Sequence, residues 1–293
     1  MRAISLLMVL VSTLAQAADV AWHEFDVVIS DHLGFGKERV ALLLRAKIND
    51  VDCRVQLDTG AAATIIWRHR DSDQQPAMAV QARVRIGDIE QVLQAKTSQL
   101  VSLRHPDCHG VAATVGNGFF EHGTLHLDLG SQRFAFTPGA ALARHPAAHS
   151  MLYLPATQGG GHPLIMAKLA NGAQGYVLLD TGSMRFGLAA TDPQQWRQLT
   201  AGLQGAPRRS FSIRNASEAG ALTCEELETQ APMAIGGQTV RQELVTYCSG
   251  KQFQLAQPIL GVLGLRPLGR RMVIIDYVSR RWLLGEDVRD VGE

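Results

Sequence analysis

The chain has 293 residues, 46% of them hydrophobic, and a formal net charge of +1. That is enough apolar material for one large core or two small ones. The charges are scattered with no basic block, which argues against a nucleic-acid partner and leaves most of them as solvated surface.

The amino terminus reads as a targeting segment. Arg2 gives a positive start, Ile4 to Leu14 is mostly apolar, and Ala15-Gln16-Ala17 is a small-x-small pattern. Together they predict a signal peptide over residues 1–17, cleaved before Ala18. The apolar run is too short to span a bilayer, and no later stretch reaches about 18 apolar residues. The expectation is an exported chain, periplasmic or secreted, with no membrane anchor after cleavage. No cysteine stands at the cleavage site, so a lipid anchor is not indicated either.

Further along, Leu44 to Ile48 reads as a strand and Asn49-Asp50 as its turn. Val55-Gln56-Leu57 then runs into Asp58-Thr59-Gly60. A polar stretch from Arg68 to Gln75, a turn at Ile86-Gly87-Asp88 and the run Thr114-Val115-Gly116 come next. Leu125 to Leu129 and Arg133 to Phe136 predict a closing hairpin. Pro138 to Ser150, rich in Pro, Ala and His, reads as a linker.

The second half repeats this order. After the Gly159-Gly160-Gly161 turn, Met166 to Gly172 predicts a strand and its turn, and Tyr176 to Leu179 runs into Asp180-Thr181-Gly182. Asp192 can cap a helix that has Pro193 at its first position and Trp196, Leu199 and Leu203 on one face. Arg209 to Arg214 and Ala221 to Leu227 predict a hairpin over 209–228. Val262-Leu263-Gly264 and a second closing hairpin, Val273 to Tyr277 with Arg281 to Leu284, complete the repeat. Short segments rich in Val, Ile, Leu and Phe make the expected class mainly β.

By average residue usage, one Asp-Thr-Gly arises by chance in roughly one chain of this length in twenty. Two copies with matched flanks are different evidence. The aspartates are 180 − 58 = 122 residues apart, and Gly116 and Gly264 are 264 − 116 = 148 apart. The halves are therefore a duplication, with 148 − 122 = 26 extra residues in the second. Ile86-Gly87-Asp88 matches Ile235-Gly236-Gly237, which places the surplus between about Ser183 and Ile235.

Hairpin, Asp-Thr-Gly, apolar-apolar-Gly and closing hairpin, written twice, resemble the lobes of retropepsin and pepsin-like aspartic proteases. The resemblance covers nearly all of the chain after the signal. It implies a bilobal acid-protease fold of two duplicated β-barrel-like lobes with few short helices, at 18–137 and 151–293, joined by the linker 138–150. It implies an aspartic endopeptidase acting on polypeptide as a monomer, with no cofactor and no metal. Asp58 and Asp180 would be its catalytic acids, and Thr59 and Thr181 would cross-link their loops. Gly60 and Gly182 would permit close approach beside the acids, and Gly116 and Gly264 would belong to the strand threading beside each aspartate.

The chemistry needs paired acids because two adjacent carboxylates cannot both ionise cheaply and so share one proton. The halves differ three residues on, where Ala61 faces Ser183 in the alignment. A Ser183 hydroxyl would favour the charged form of Asp180 and make it the base. In retropepsin-like lobes the surplus interval holds a substrate-binding flap, so its tip is expected at Asn215, Ala216, Ser217, Glu218, Ala219 and Gly220. The corresponding first-half interval is too short for a full flap.

Four cysteines, an even number in an exported chain, allow three pairings. The duplication favours one bond per half, Cys53 with Cys108 and Cys224 with Cys248. His105, Cys108 and His109 match no metal-site spacing. Gly-x-Ser-x-Gly, His-Glu-x-x-His and phosphate-loop motifs are missing from the sequence. The alternative reading is a catalytically inactive peptide-binding or inhibitor protein on the same fold.

Overall fold

A computed structural model describes residues 20–31, 33–67, 79–98, 111–157, 159–203, 205–214, 221–249 and 255–286. The expected signal peptide, the triplet His105, Cys108 and His109, and the tip Asn215 to Gly220 lie outside them. The first half supplies β1 (His23–Ser30), β2 (Glu38–Ile48), β3 (Val51–Leu57), β4 (Ile65–Trp67) and β5 (Ala79–Ile86). It continues with β6 (Ile89–Ser98), β7 (Val111–Val115), β8 (Gly123–Asp128) and β9 (Arg133–Pro138). The second supplies β10 (His149–Ser150), β11 (Leu152–Pro155), β12 (Gly161–Leu169), β13 (Gln174–Leu179) and β14 (Leu188–Ala190). Then come α1 (Pro193–Thr200), β15 (Arg208–Arg214), β16 (Ala221–Ile235), β17 (Gln238–Ser249), β18 (Gly261–Leu263), β19 (Met272–Asp276) and β20 (Arg281–Leu284). The protein is mainly β, in two sheets, and among the described residues no helix is long and apolar enough to cross a membrane.

Local chemistry sets the hairpin before each aspartate. Asn49 and Asp50 take φ of 49° and 69°, the left-handed pair that a tight β2–β3 turn needs and that Asn and Asp tolerate. Alternation does the rest in β3, where Cys53, Val55 and Leu57 point inward. The second half repeats the motif with β12 and β13, paired from Leu164↔Leu178 to Lys168↔Gln174.

Both halves then make the same threaded arrangement. β7 runs parallel to β3 and antiparallel to β4, so it lies between two consecutive strands. Likewise β18 lies between β13 and β14. The loop joining each outer pair must pass around the end of the inserted strand, and that loop is Asp-Thr-Gly both times. The repeat thus fixes where the aspartates emerge.

The two sheets do not divide at the linker. The twelve-stranded sheet runs β10-β20-β19-β8-β9-β1-β2-β3-β7-β4-β6-β5, and the eight-stranded sheet runs β11-β12-β13-β18-β14-β17-β16-β15. The closing hairpins, expected one to a lobe, join through β8 and β19, from Met272↔Asp128 to Asp276↔Thr124. Each offers an open edge and buried residues, Leu125 and Leu127 on one side and Val273 and Ile275 on the other. Pairing the edges satisfies backbone groups that either hairpin alone would leave exposed. The linker is also more than a tether. Pro138 ends β9, His149 and Ser150 form β10, and Leu142 is buried with its N–H on Asp276 Oδ2 at 2.7 Å.

The second-half surplus is occupied by α1 and β15. Asp192 caps the helix as expected, its carboxylate accepting from Gln195 N at 2.8 Å. β15 pairs with β16 from Arg208↔Leu227 to Arg214↔Ala221, the predicted hairpin arms. Cys224 and Cys248 face each other across β16 and β17 and are disulfide-bonded. Cys53 is disulfide-bonded too, and its expected partner, Cys108, lies outside the described residues.

The Cys224–Cys248 bond closes a loop of 24 residues, which corresponds to about 3 kcal/mol of lost unfolded-state entropy. The double variant Cys224→Ser, Cys248→Ser should lose roughly that unfolding free energy, read as a lower denaturant midpoint at unchanged slope. An unchanged midpoint would mean that the β15–β17 unit is held by its ladder alone.

Candidate active site

The structure brings the two Asp-Thr-Gly loops face to face. Thr59 N–H donates to Thr181 Oγ1 and Thr181 N–H donates to Thr59 Oγ1, both at 3.0 Å. Each hydroxyl also donates a hydrogen bond across, Thr59 Oγ1 to Leu179 O at 2.7 Å and Thr181 Oγ1 to Leu57 O at 2.9 Å. Thr59 and Thr181 are buried. Four crossed bonds with near two-fold symmetry therefore join the halves directly beside the aspartates.

The aspartates themselves are anchored by the inserted strands. Asp58 N–H bonds to Val115 O at 3.1 Å and Asp180 N–H to Leu263 O at 2.9 Å. The glycine of each loop lies against the carboxyl of the other. A Cβ at Gly60 would stand 2.6 Å from Asp180 Cγ, and one at Gly182 would stand 2.6 Å from Asp58 Cγ. Any side chain there would displace an acid. Gly116 and Gly264 have an equivalent role one layer down, with Cβ positions 2.6 Å from Ala61 O and 2.2 Å from Ser183 O.

The carboxyls are unequal. Asp180 accepts from Gly182 N at 2.9 Å and from Ser183 Oγ at 2.6 Å. Asp58 accepts from Ala61 N at 3.1 Å, and Ala61 has no hydroxyl to add. Burial first, then the charge of Asp180 and a hydrogen bond with it, push the Asp58 carboxyl well above the ordinary carboxylate range. The N–H groups of Gly60 and Ala61 oppose that shift without cancelling it. The Asp58 carboxyl is thus held toward its protonated form, while Asp180 has a hydroxyl donor that Asp58 lacks.

Three further groups surround the pair. His162, at the start of β12, is bonded to the backbone of Gly60 and feels Asp180; burial pulls its pKa down despite both. Asn117, directly after Gly116, sends its amide to carbonyls of both halves. Arg185, two residues beyond Ser183, is buried in an ion-pair network. It meets Glu226 at 2.7 Å and Glu38 at 2.6 Å, while Arg209 joins Glu226 at 2.6 Å and Arg266 joins Glu38 at 3.0 Å. Burial opposes the Arg185 charge, yet Glu226 and Glu38 outweigh it and hold the guanidinium charged.

This network ties three distant segments together. Glu38 opens β2 in the first half, Arg185 comes after the second Asp-Thr-Gly, and Glu226 sits in the β15–β16 hairpin. Phe35 from the first half packs edge-on against Phe211 of β15 at 5.6 Å, with the Arg209 guanidinium 4.5 Å above its ring. The second-half hairpin is therefore docked on the first half.

The structure brings together the residues singled out from the sequence: both aspartates, both threonines, the four glycines and Ser183. His162, Asn117 and Arg185 lie beside them and were not singled out. The usable signal was asymmetry, since Gly116 is followed by Asn117 but Gly264 by Leu265. Among the described residues no group of three or more His, Cys, Asp or Glu is placed to hold a metal ion. No family model matches the chain, and no curated protein matches it.

The buried bonds can be weighed by unfolding. Thr59→Val removes a buried donor and acceptor while keeping shape, and should cost about 1–3 kcal/mol in denaturant unfolding. Glu226→Ala takes the two-point partner from the buried Arg185, leaving it only Glu38, and should cost up to about 3–5 kcal/mol. Its size relative to an exposed pair such as Lys47–Asp52 checks the role of burial, because removing that pair should cost about 1 kcal/mol or less.

Proposed function

We propose that this chain is an exported aspartic endopeptidase with a bilobal pepsin/retropepsin-like fold, its lobes at 18–137 and 151–293. One observation carries the reading. Each carboxyl lies against the glycine of the other loop, 2.6 Å from where a Cβ would stand, with the crossed threonine bonds beside it. Such close approach makes sense for acids that share one proton, and a purely structural turn has no need of it.

The chemistry takes two proton movements per step. The Asp180 carboxylate removes a proton from a water held between the acids as that water's oxygen attacks the peptide carbonyl carbon. The Asp58 carboxyl gives its proton to the carbonyl oxygen, so a neutral tetrahedral diol forms with no covalent link to the protein. In the collapse the Asp58 carboxylate takes back a proton from one diol hydroxyl as that C=O bond re-forms, the C–N bond breaks and Asp180 gives its proton to the departing nitrogen, so that the two acids again hold one proton between them. Ser183 and Gly182 support the charged form of Asp180 in this scheme.

Substrate would be a polypeptide lying between the loops and the docked β15–β16 hairpin. Both acids come from one chain, so a monomer completes the site. The Cys224–Cys248 disulfide supports an oxidising compartment, outside the cytosol.

The test is cleavage of a diverse peptide mixture across pH by the purified chain, beside Asp58→Asn and Asp180→Asn. Loss of about 10³-fold or more in both variants is expected from removing a general acid or base within a concerted pair. No cleavage by the parent at any pH would favour a peptide-binding protein instead. Activity should fall as pH rises through the elevated Asp58 pKa, because the proton donor is then lost.

Stability carries the same signature. Asp58 binds its proton more tightly folded than unfolded, so the folded state holds more protons between its ordinary and elevated pKa values. Its contribution is fully present below the ordinary carboxylate pKa and is lost as pH rises through the folded one. Unfolding free energy should therefore decline with pH across that window in the parent and less in Asp58→Asn. Equal slopes in the two proteins would contradict an elevated Asp58.

A further inference from the structure

The duplicated strands run out at Gly116 and Gly264, and the very next residue breaks the symmetry. Leu265 joins the apolar core, whereas Asn117 is fully buried and wholly engaged in hydrogen bonds. Its Nδ2 donates to Thr59 O and Gly161 O, both at 2.7 Å, and approaches Ala61 O at 3.1 Å. Its backbone N–H also reaches Ala61 O at 2.9 Å. Its Oδ1 accepts from the Tyr277 hydroxyl at 2.7 Å. Every polar atom of the side chain is used.

The partners make this more than a core contact. Thr59 O and Ala61 O flank Gly60, whose backbone lies against the Asp180 carboxyl. Gly161 and Tyr277 belong to the second half. A Cβ at Gly160 would overlap Ala62 O at 1.9 Å, so the Gly160-Gly161 backbone is pressed directly onto the first loop. Tyr277 packs edge-on against Tyr153 at 5.7 Å, and the Tyr153 hydroxyl donates to Glu121 at 2.7 Å. Burial keeps the Tyr277 phenol protonated, so it acts as the donor to Asn117.

The threonine bonds hold both loops together at their centre. Asn117 holds only the Asp58 loop, from its carbonyl side, and ties it to the second half. We propose that Asn117 and Tyr277 are positioning residues that fix the Asp58 loop against Asp180 and thereby set how strongly the two acids share one proton. This rests on the dyad reading given above. The physical link is distance and solvation. A loop free to relax would let water in and separate the carboxyls, and both changes make ionising Asp58 easier.

Two variants separate this role from plain stability. Tyr277→Phe keeps the ring packing and removes one donor. Asn117→Leu installs the residue type that the second half uses at Leu265. In each, the carboxyl carbons of the aspartates are titrated by NMR, and kcat and KM are measured on a cleaved peptide. The higher of the two dyad titrations should move to lower pH in both variants, and further in Asn117→Leu. The alkaline limb of activity should move with it. kcat should fall about threefold in Tyr277→Phe and about tenfold in Asn117→Leu, with KM within about twofold of the parent, as expected for a buried hydrogen bond that acts on the reacting groups. If Asn117→Leu does not fold, Tyr277→Phe decides alone. Folded variants with parental titrations and parental kcat would overturn the positioning role and leave the dyad intact. A parent whose two acids titrate independently in the ordinary carboxylate range would overturn both readings.

Discussion

Everything near the candidate site depends on the four crossed bonds between Thr59 and Thr181. They bury two hydroxyls, each donating a hydrogen bond to the strand of the other half and accepting one from the opposite threonine's backbone. This geometry can be satisfied only when both loops are present and nearly symmetric. It brings Gly60 against Asp180 and Gly182 against Asp58, so the electrostatic conflict between the acids is imposed by hydrogen bonds a few ångströms away. The fold supplies the repulsion, and the raised Asp58 carboxyl is its trace.

Symmetry explains placement, while departures from it explain roles. Ser183 against Ala61 gives one acid a hydroxyl donor that the other lacks. Asn117 against Leu265 gives one loop a polar brace. The 26-residue surplus gives one half a hairpin, and Arg185 with Phe35 docks that hairpin on the half that has no described counterpart. In each case one copy of a duplicated element carries a contact that the other lacks.

What could be read from the sequence divides along physical lines. Local signals were legible: the Asn49-Asp50 turn, the Asp192 cap with Pro193, the Asp-Thr-Gly positions and the arms of the 209–228 hairpin all come from short-range chemistry. Equivalence between halves was legible too, because repetition turns weak motifs into a register. Contacts between halves were not. Arg185 meets Glu38 across 147 positions of sequence and Asn117 meets Tyr277 across 160. Nothing in the local pattern of a lone Arg or Asn distinguishes such a partner from solvent. The joining of β8 to β19 was missed for the same reason, since edge pairing is decided by what else is left unpaired.

That joined sheet has a consequence for how the chain comes to be folded. β8 and β9 are completed by β19, which lies beyond the second Asp-Thr-Gly and the whole β15–β17 unit. The first half therefore leaves the ribosome with an open strand edge and waits for most of the second half before that edge is covered. Until residue 181 is made the crossed threonines also lack each other, so the two aspartates are not yet held together. The sheet is closed by strands that arrive late in the chain, so the first half reaches its final form only together with the second.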